Sequence, residues 1–368
     1  MKKIILFYSL ILTLFNLPSS VNGDYFDFYS DNRPSIQANS RGYTGVADIC
    51  GISNVVLNPA SLDIENKAQI HFEYIYKNTV PWITEDMYLK PLYPTFLAGC
   101  GISISKYFQT GVVYYVKSSY QFEIKTVLTT PEGSKENLYQ SEEEKISSLL
   151  IPIVFNYKNI RFGINFDYLN YVFNSIIIIE GKENYNYTSE ARFEKLVPKF
   201  GVIFSLYEEL SIGLTFVPEM GETKKLRQKS NISDESVIEK QIIFPLKLSV
   251  GIKYKSKVMP IVYYIDCNYS NESKVSDDCI DRIDFHFGLD YDKIIDKLTL
   301  RTGIFTQRDY RNEDIKKIFG SIDQIFTTFG LSYKIGVIEL NLSIMDSHLF
   351  SIGKIKQTYV NSGLSWNF

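Results

Sequence analysis

The sequence predicts an all-β protein: a transmembrane antiparallel β-barrel of about fourteen strands with an N-terminal plug, or hatch, segment. Three observations predict it. From Lys67 onward apolar and polar residues alternate with the period of a strand, in runs long enough to cross a bilayer. Short turns alternate with long polar connections, as at the two rims of a membrane barrel. The composition is 45% hydrophobic and 15% aromatic, with 27 Tyr and 25 Phe. Yet beyond residue 23 no apolar run reaches the ~20 residues that a spanning helix needs.

The alternation is plainest in Ile338-Glu339-Leu340-Asn341-Leu342-Ser343-Ile344, where even positions are aliphatic and odd ones polar. Ile283 to Tyr291 and Phe244 to Tyr254 repeat it. Strands are predicted at 67–77, 94–104, 107–126, 142–157, 160–180, 189–205, 209–226, 236–254, 257–269, 280–291, 297–309, 324–334, 337–346 and 355–368. A soluble sandwich also alternates, but with strands of about 4–8 residues, whereas a tilted bilayer crossing needs about 9–11. Tight turns fall at Tyr107-Phe108, Lys158-Asn159, Glu208-Glu209, Lys255-Ser256, Asp292 to Asp296 and Ile335-Gly336. Longer connections fall at 78–93, 127–141, 181–188, 227–235, 270–279, 310–323 and 347–354.

A weak repeat of apolar-Gly-apolar runs through the strands, at Gly163, Gly201, Gly213, Gly251, Gly288 and Gly330. The pleat turns all of these glycines toward the lumen. Two readings stay open: glycine admits a plug close to the wall, or it relieves curvature.

At the N-terminus Lys2 and Lys3 precede an apolar run from Ile4 to Leu17 and a small-residue exit ending at Gly23. This reads as a secretory signal peptide over 1–23, the run being too short for a spanning anchor. Residues 24–66 do not alternate, and about forty residues are too few for an independent domain. Their expected use is a hatch folded into the lumen, the alternative being a disordered tail; the barrel proper is expected over 67–368.

At the other end Leu364, Trp366 and Phe368 alternate with polar residues. Asn361, Gly363, Trp366 and Phe368 resemble the C-terminal targeting signal of bacterial outer-membrane barrels, which barrel assembly machinery reads. The expected location is therefore the bacterial outer membrane, in contact with its lipid.

Charge excludes one class: 39 Lys and Arg against 42 Asp and Glu leave a net charge of -3, so no nucleic-acid partner is expected. The four cysteines show no zinc spacing, and neither metal nor cofactor is expected. Cys267 and Cys279 flank a polar loop and are candidates for a small disulfide. Cys100 on a lipid face and Cys50 in the N-terminal segment read as free, small hydrophobes.

Arg41, Gly45 and Ala47, followed by Asn58, Pro59, Ala60 and Leu62, form the pattern Arg-x-x-x-Gly-x-Ala and Asn-Pro-Ala-x-Leu ahead of the strands. With the barrel pattern, this resembles the FadL-type long-chain fatty-acid transporters and their PorV/PorQ-like and spirochaete FadL-like relatives. Phe244-Pro245 ahead of Gly251 and Tyr254 resembles a strand of the same family. The resemblance implies a fourteen-strand barrel with a hatch. The glycine cluster is poorer here and the chain shorter than in typical members.

The leading expectation is passive uptake of a hydrophobic, long-chain fatty-acid-like ligand, since apolar surface costs about 25 cal/mol per Å² to hydrate. Candidate lumen residues are Ile75, Val113, Tyr115, Phe326 and Tyr359, with Lys247, His286 and Arg301 as partners for a carboxylate head group. The alternative use of those charges is pairing with Glu73, Asp284, Asp290 or Glu339 in the wall. A rival class is a PorV-like adaptor that binds secretion-system partner proteins, and an open porin is a further alternative. Enzyme chemistry is disfavoured: His71 and His286 lie mid-strand, and His348 sits in a loop beside Asp346 and Ser347.

Overall fold

The computed structural model describes residues 33–368 apart from 82–86, 92–94, 130–132, 182–183, 232–234, 296 and 352–355. The expected signal peptide and the first part of the expected hatch, 24–32, lie outside the described residues. The strand segments are β1 (Ala68–Lys77), β2 (Val80–Pro81), β3 (Met87–Lys90), β4 (Phe96–Ser105), β5 (Phe108–Thr129) and β6 (Lys135–Tyr157). There follow β7 (Ile160–Glu180), β8 (Tyr185–Ser205), β9 (Leu210–Val217), β10 (Met220–Ser230), β11 (Ser236–Phe244) and β12 (Lys247–Lys255). The last are β13 (Ile261–Ser270), β14 (Arg282–Ile295), β15 (Leu298–Gln307), β16 (Gln324–Ile335), β17 (Ile338–Asp346) and β18 (Thr358–Asn367).

These segments form one closed antiparallel barrel of 14 strands. β9 with β10, and β11 with β12, are each one wall strand interrupted midway, and β2 and β3 are short pieces at the long-loop rim. Closure comes from β18 against β1, with Ile70 opposite Trp366 and Ile75 opposite Asn361. Closure leaves no sheet edge at that junction, as a barrel in lipid requires.

Alternation sets the two faces as the sequence predicts. On β1, Ile70, Phe72, Tyr74 and Tyr76 are exposed, while Gln69, His71, Glu73 and Ile75 are buried. Phe162, Phe166, Leu248, Ile252, Phe285, Phe329, Leu342 and Trp366 continue the outer apolar belt on other strands. Two expectations about length are corrected. The connection expected over 127–141 is mostly strand, since β5 and β6 pair out to Thr129 and Lys135. The single strands expected over 209–226 and 236–254 are both broken, at Pro218-Glu219 and at Pro245-Leu246. Proline cannot donate to a ladder, so both breaks have a covalent cause.

Residues 33–66 lie inside the ring, against the inner face of strands from all sides. A short helix, α1 (Ile36–Ser40), is capped by Ser35, whose side chain accepts from the Ala38 N–H. A 3-10 turn follows at Ile52–Val56 and another at Pro59–Ser61. Ile52, Val55, Leu62 and Ile64 from this segment join Leu97, Val113, Tyr115, Leu150 and Val154 from the wall in one apolar cluster.

One stretch of the wall is unpaired. β8 pairs with β9 from Ser205↔Ser211 to Phe200↔Phe216, and with β10 from Ala191↔Leu226 to Tyr187↔Ser230. Among the described residues no ladder pair joins 192–199 to 217–225. Each edge is paired on its other side, 192–199 to β7 and 220–225 to β11. The seam runs for roughly 25 Å of strand at the rise of an extended chain.

Candidate functional site: a cavity above the N-terminal segment, open to the seam

The Arg41–Leu62 motif proves to be the device that seats the N-terminal segment. Arg41, 2% exposed, pairs with Asp48 and with Asp290 Oδ2 at 3.0 Å, donates to the Thr44 carbonyl at 3.2 Å, and lies over the Tyr264 ring. Lys253 Nζ reaches Asp48 Oδ1 at 2.7 Å, so Asp48 is held by two cations. Burial opposes ionisation of Asp48, but the charges of Arg41 and Lys253 outweigh it and hold the carboxyl well below its usual range. Asp266 on β13 accepts from the backbone N–H groups of Gly45 (2.7 Å) and Val46 (3.0 Å). Glu73 on β1 accepts from those of Ser35 (3.0 Å) and Ile36 (2.7 Å) at the start of α1.

Asn58 folds the second half of the motif. Its Oδ1 accepts from the Ala60 N–H at 2.9 Å and its Nδ2 donates to the Val46 carbonyl at 2.6 Å. Pro59 opens the following 3-10 turn, where a missing N–H costs nothing. Ala47, Ala60 and Leu62 are fully buried. Arg161 on β7 donates to the carbonyls of Ala60 and Leu62, and Asn165 donates to that of Val55.

The repeated glycines resolve in favour of close approach. A methyl group on Gly163 would strike Pro59 and Ala60, on Gly201 Asn58, on Gly213 Val46, on Gly288 Arg41, and on Gly330 Ser40. At Gly251 it would meet Asp266 and Val46. The segment therefore runs along a track of positions without side chains.

Above this floor lies a cavity of about 340 Å³, between the segment and the long-loop rim. Val46, Val56 and Leu57 contribute from below, Leu150, Leu169, Val197, Val217 and Phe244 from the wall, and Val275 and Tyr310 from the loops. Lys117, Lys199 and Lys247 line one side of it, with Asp167. Lys117 Nζ stands 3.9 Å from Asp167 Oδ2, and Lys199 donates to the Val56 carbonyl at 2.7 Å. Among the described residues the buried Ser118 hydroxyl and the Asn165 side-chain oxygen on this side have no hydrogen-bond partner. Such groups favour a guest that can hydrogen-bond over a wholly apolar one.

The cavity meets the seam. Val197 and Lys199 lie on its β8 edge and Val217 on its other edge. The breaks at Pro218-Glu219 and Pro245-Leu246 face one another, because Val217↔Lys247 and Met220↔Phe244 flank them. Each break shifts the alternation by one residue, so Phe244 above it and Lys247 below it line the same cavity.

Of the candidate lining residues, Tyr115, Lys247 and His286 border the cavity. Ile75, Phe326 and Tyr359 face inward but are packed with Phe305, Met345 and Tyr43 of the segment, and Val113 is packed beneath Ile52. His286 is engaged at both nitrogens, by the Gly42 carbonyl at 3.0 Å and by Asn268 at 2.8 Å. A carbonyl only accepts, so Nδ1 carries the proton and Nε2 accepts, the pattern of the neutral ring. Arg301 stands 3.6 Å from Asp290 and donates to Ser332. Neither is available to a carboxylate. Four further cations line the cavity that the strand pattern alone did not single out: Lys117 and Lys199 on inward-facing strand positions, and Arg33 and Arg282, which are engaged by Gln307 and Asp284.

The remaining candidates have other places. Cys267 and Cys279 form no disulfide: Cys267 lies on the outward parity of β13, whereas Cys279 is buried in the following loop. Gly363 packs on Glu73 and Ile36, Asn361 is buried, and Trp366 and Phe368 stack on the outer face with ring centroids 4.7 Å apart. His348 contacts Asp346 at 2.9 Å, while the Ser347 hydroxyl turns to the Gln357 carbonyl, so the three form no relay.

No protein-family model matches the sequence, and no curated protein matches it. Solved structures do match. A Pseudomonas aeruginosa FadL homologue is 10% identical, with a TM-score of 0.65 over 92% of this chain and 99% of that one. The Pseudomonas putida toluene transporter TodX is 14% identical, with a TM-score of 0.62 over 91% and 98%. The Ralstonia pickettii toluene transporter TbuX is 13% identical, with a TM-score of 0.61 over 89% and 96%.

Proposed function

The fold is that of the FadL-type outer-membrane transporters, and from that premise we propose that this protein is an outer-membrane barrel for passive uptake of hydrophobic molecules. Its ligands are long-chain and fatty-acid-like. Residues 33–66 are the hatch, the short-turn rim is periplasmic, and the long-loop rim faces outward. The observation that carries the reading is a cavity above the hatch that reaches an unpaired seam in the wall. A guest enters between the long loops, sheds water against Leu169, Val197, Val217 and Phe244, and sets an anionic head group near Lys117, Lys199 and Lys247. The floor is welded to the wall on every side, so the low-resistance exit is sideways through the seam. Toluene transport by TodX and TbuX, as described for those proteins, supports a hydrophobic ligand class.

Equilibrium binding of a fluorescent long-chain fatty acid to the purified, folded protein tests the reading. Saturable binding that unlabelled oleate displaces is expected. A folded protein that binds neither fatty acid nor toluene overturns it.

A further inference from the structure

The seam is a physical problem before it is a route. Strand edges left unpaired in hydrocarbon cost several kcal/mol per bare N–H or C=O. The edges 192–199 and 217–225 must therefore meet lumen water or a guest, or be drawn together by side chains. Among the described residues the hydrogen bonds that cross the seam come from one side chain. Lys195 Nζ on β8 donates to the Gly221 carbonyl on β10 at 3.1 Å and pairs with Glu222 Oε2 at 2.6 Å. Both side chains lie on the inner face, Lys195 21% and Glu222 33% exposed, near the middle of the unpaired stretch.

Position and strength suit a closure that must give way. The bridge uses a bare carbonyl of the β10 edge as its acceptor, so it does for one group what the missing ladder would have done. An ion pair this open to water is weak and competes with hydration. Among the described residues neither lines the cavity, and the hydrogen bonds of the pair stay within the wall, so the bridge can break without loosening the floor.

We propose that Lys195 and Glu222 form a latch across the β8–β10 seam, and that its opening sets the rate of ligand release into the membrane. This rests on the uptake reading for its consequence, though the latch itself is a property of the apo wall. Release from loaded protein into lipid vesicles is measured for Lys195→Met and Glu222→Gln. Both are expected to speed release by about two- to fivefold, the range an exposed ion pair commands, with binding affinity unchanged. The swapped pair Lys195→Glu with Glu222→Lys restores the slower rate. A Lys195→Cys and Glu222→Cys pair, made with Cys100→Ser and Cys267→Ser, is expected to stop release when oxidised and to recover on reduction. Spin labels at Leu196 and Thr223 read the seam width without ligand, and Lys195→Met is expected to broaden that distance. Wild-type release from the oxidised pair, or an unchanged distance in Lys195→Met, overturns the latch. Absence of any fatty-acid binding would instead remove the uptake reading and leave the distance measurement to decide the latch.

Discussion

Gly163 of β7 packs so closely on the backbone of Ala60 that a methyl group at position 163 would strike the Pro59–Ala60 peptide. The wall and the hatch are thus cut to fit one another at a position where the sequence shows only an apolar-Gly-apolar triplet. Gly163→Val is expected to lift the Pro59–Ser61 turn and to cost about 1–3 kcal/mol by overpacking. A lower unfolding midpoint in detergent, together with new protease cleavage within 33–66, checks it. An unchanged midpoint would mean that the hatch is not seated there.

The Arg41–Asp48 pair holds the other end. Arg41→Met leaves Asp48 and Asp290 buried beside a lost cation, and breaking such a pair costs about 3–5 kcal/mol. Denaturant unfolding of the variant measures the loss.

The same pair sets a pH expectation. Burial disfavours the Asp48 carboxylate, yet Arg41 and Lys253 more than offset this and depress its pKa in the folded protein. A depressed carboxyl contributes stability above its unfolded pKa, near 4, and loses it as pH falls through the folded value. The stability difference between wild type and Asp48→Asn is therefore expected to stay flat from pH 8 to about pH 5. A difference that shrinks between pH 7 and 5 would contradict the pairing.

Trp366 is 44% exposed on the outer face, opposite Ile70. With Trp82→Phe it is the lone tryptophan of the chain, which has 2. Brominated-chain lipids are expected to quench its fluorescence in vesicles, and full emission would place that face away from lipid.

Lys117, Lys199 and Lys247 are expected to select the head group. A hydrogen bond to a charged group contributes about 1.5–3 kcal/mol, so replacing all three by Met should weaken a long-chain carboxylate by at least about tenfold. The alcohol of equal chain length should bind as before. Titration of both ligands checks the difference.

Face assignment was legible in the sequence because lipid and lumen demand opposite chemistry from neighbouring residues. Ile75, Phe326 and Tyr359 show where that legibility stops. Parity turns them inward, but whether an inward residue meets a cavity or the hatch depends on how a distant segment fills the space. The motif residues from Arg41 to Leu62 led to the expectation of a hatch, and what the structure shows of them is the contacts that hold residues 33–66 to the inner wall. The seam was hidden because pairing is a relation between strands, which no single-strand pattern records. Its trace is Pro198, Pro218 and Pro245, three residues without an N–H in three consecutive predicted strands.

Transfer of oleate from albumin into vesicles carrying the reconstituted protein tests the central claim most directly, read by acidification of a trapped dye. Uptake is predicted to rise in proportion to protein and to saturate with oleate, while the vesicles stay tight to ions. Uptake equal to that of protein-free vesicles, or a steady ionic conductance through the barrel, would contradict a hatch-closed route for hydrophobic molecules.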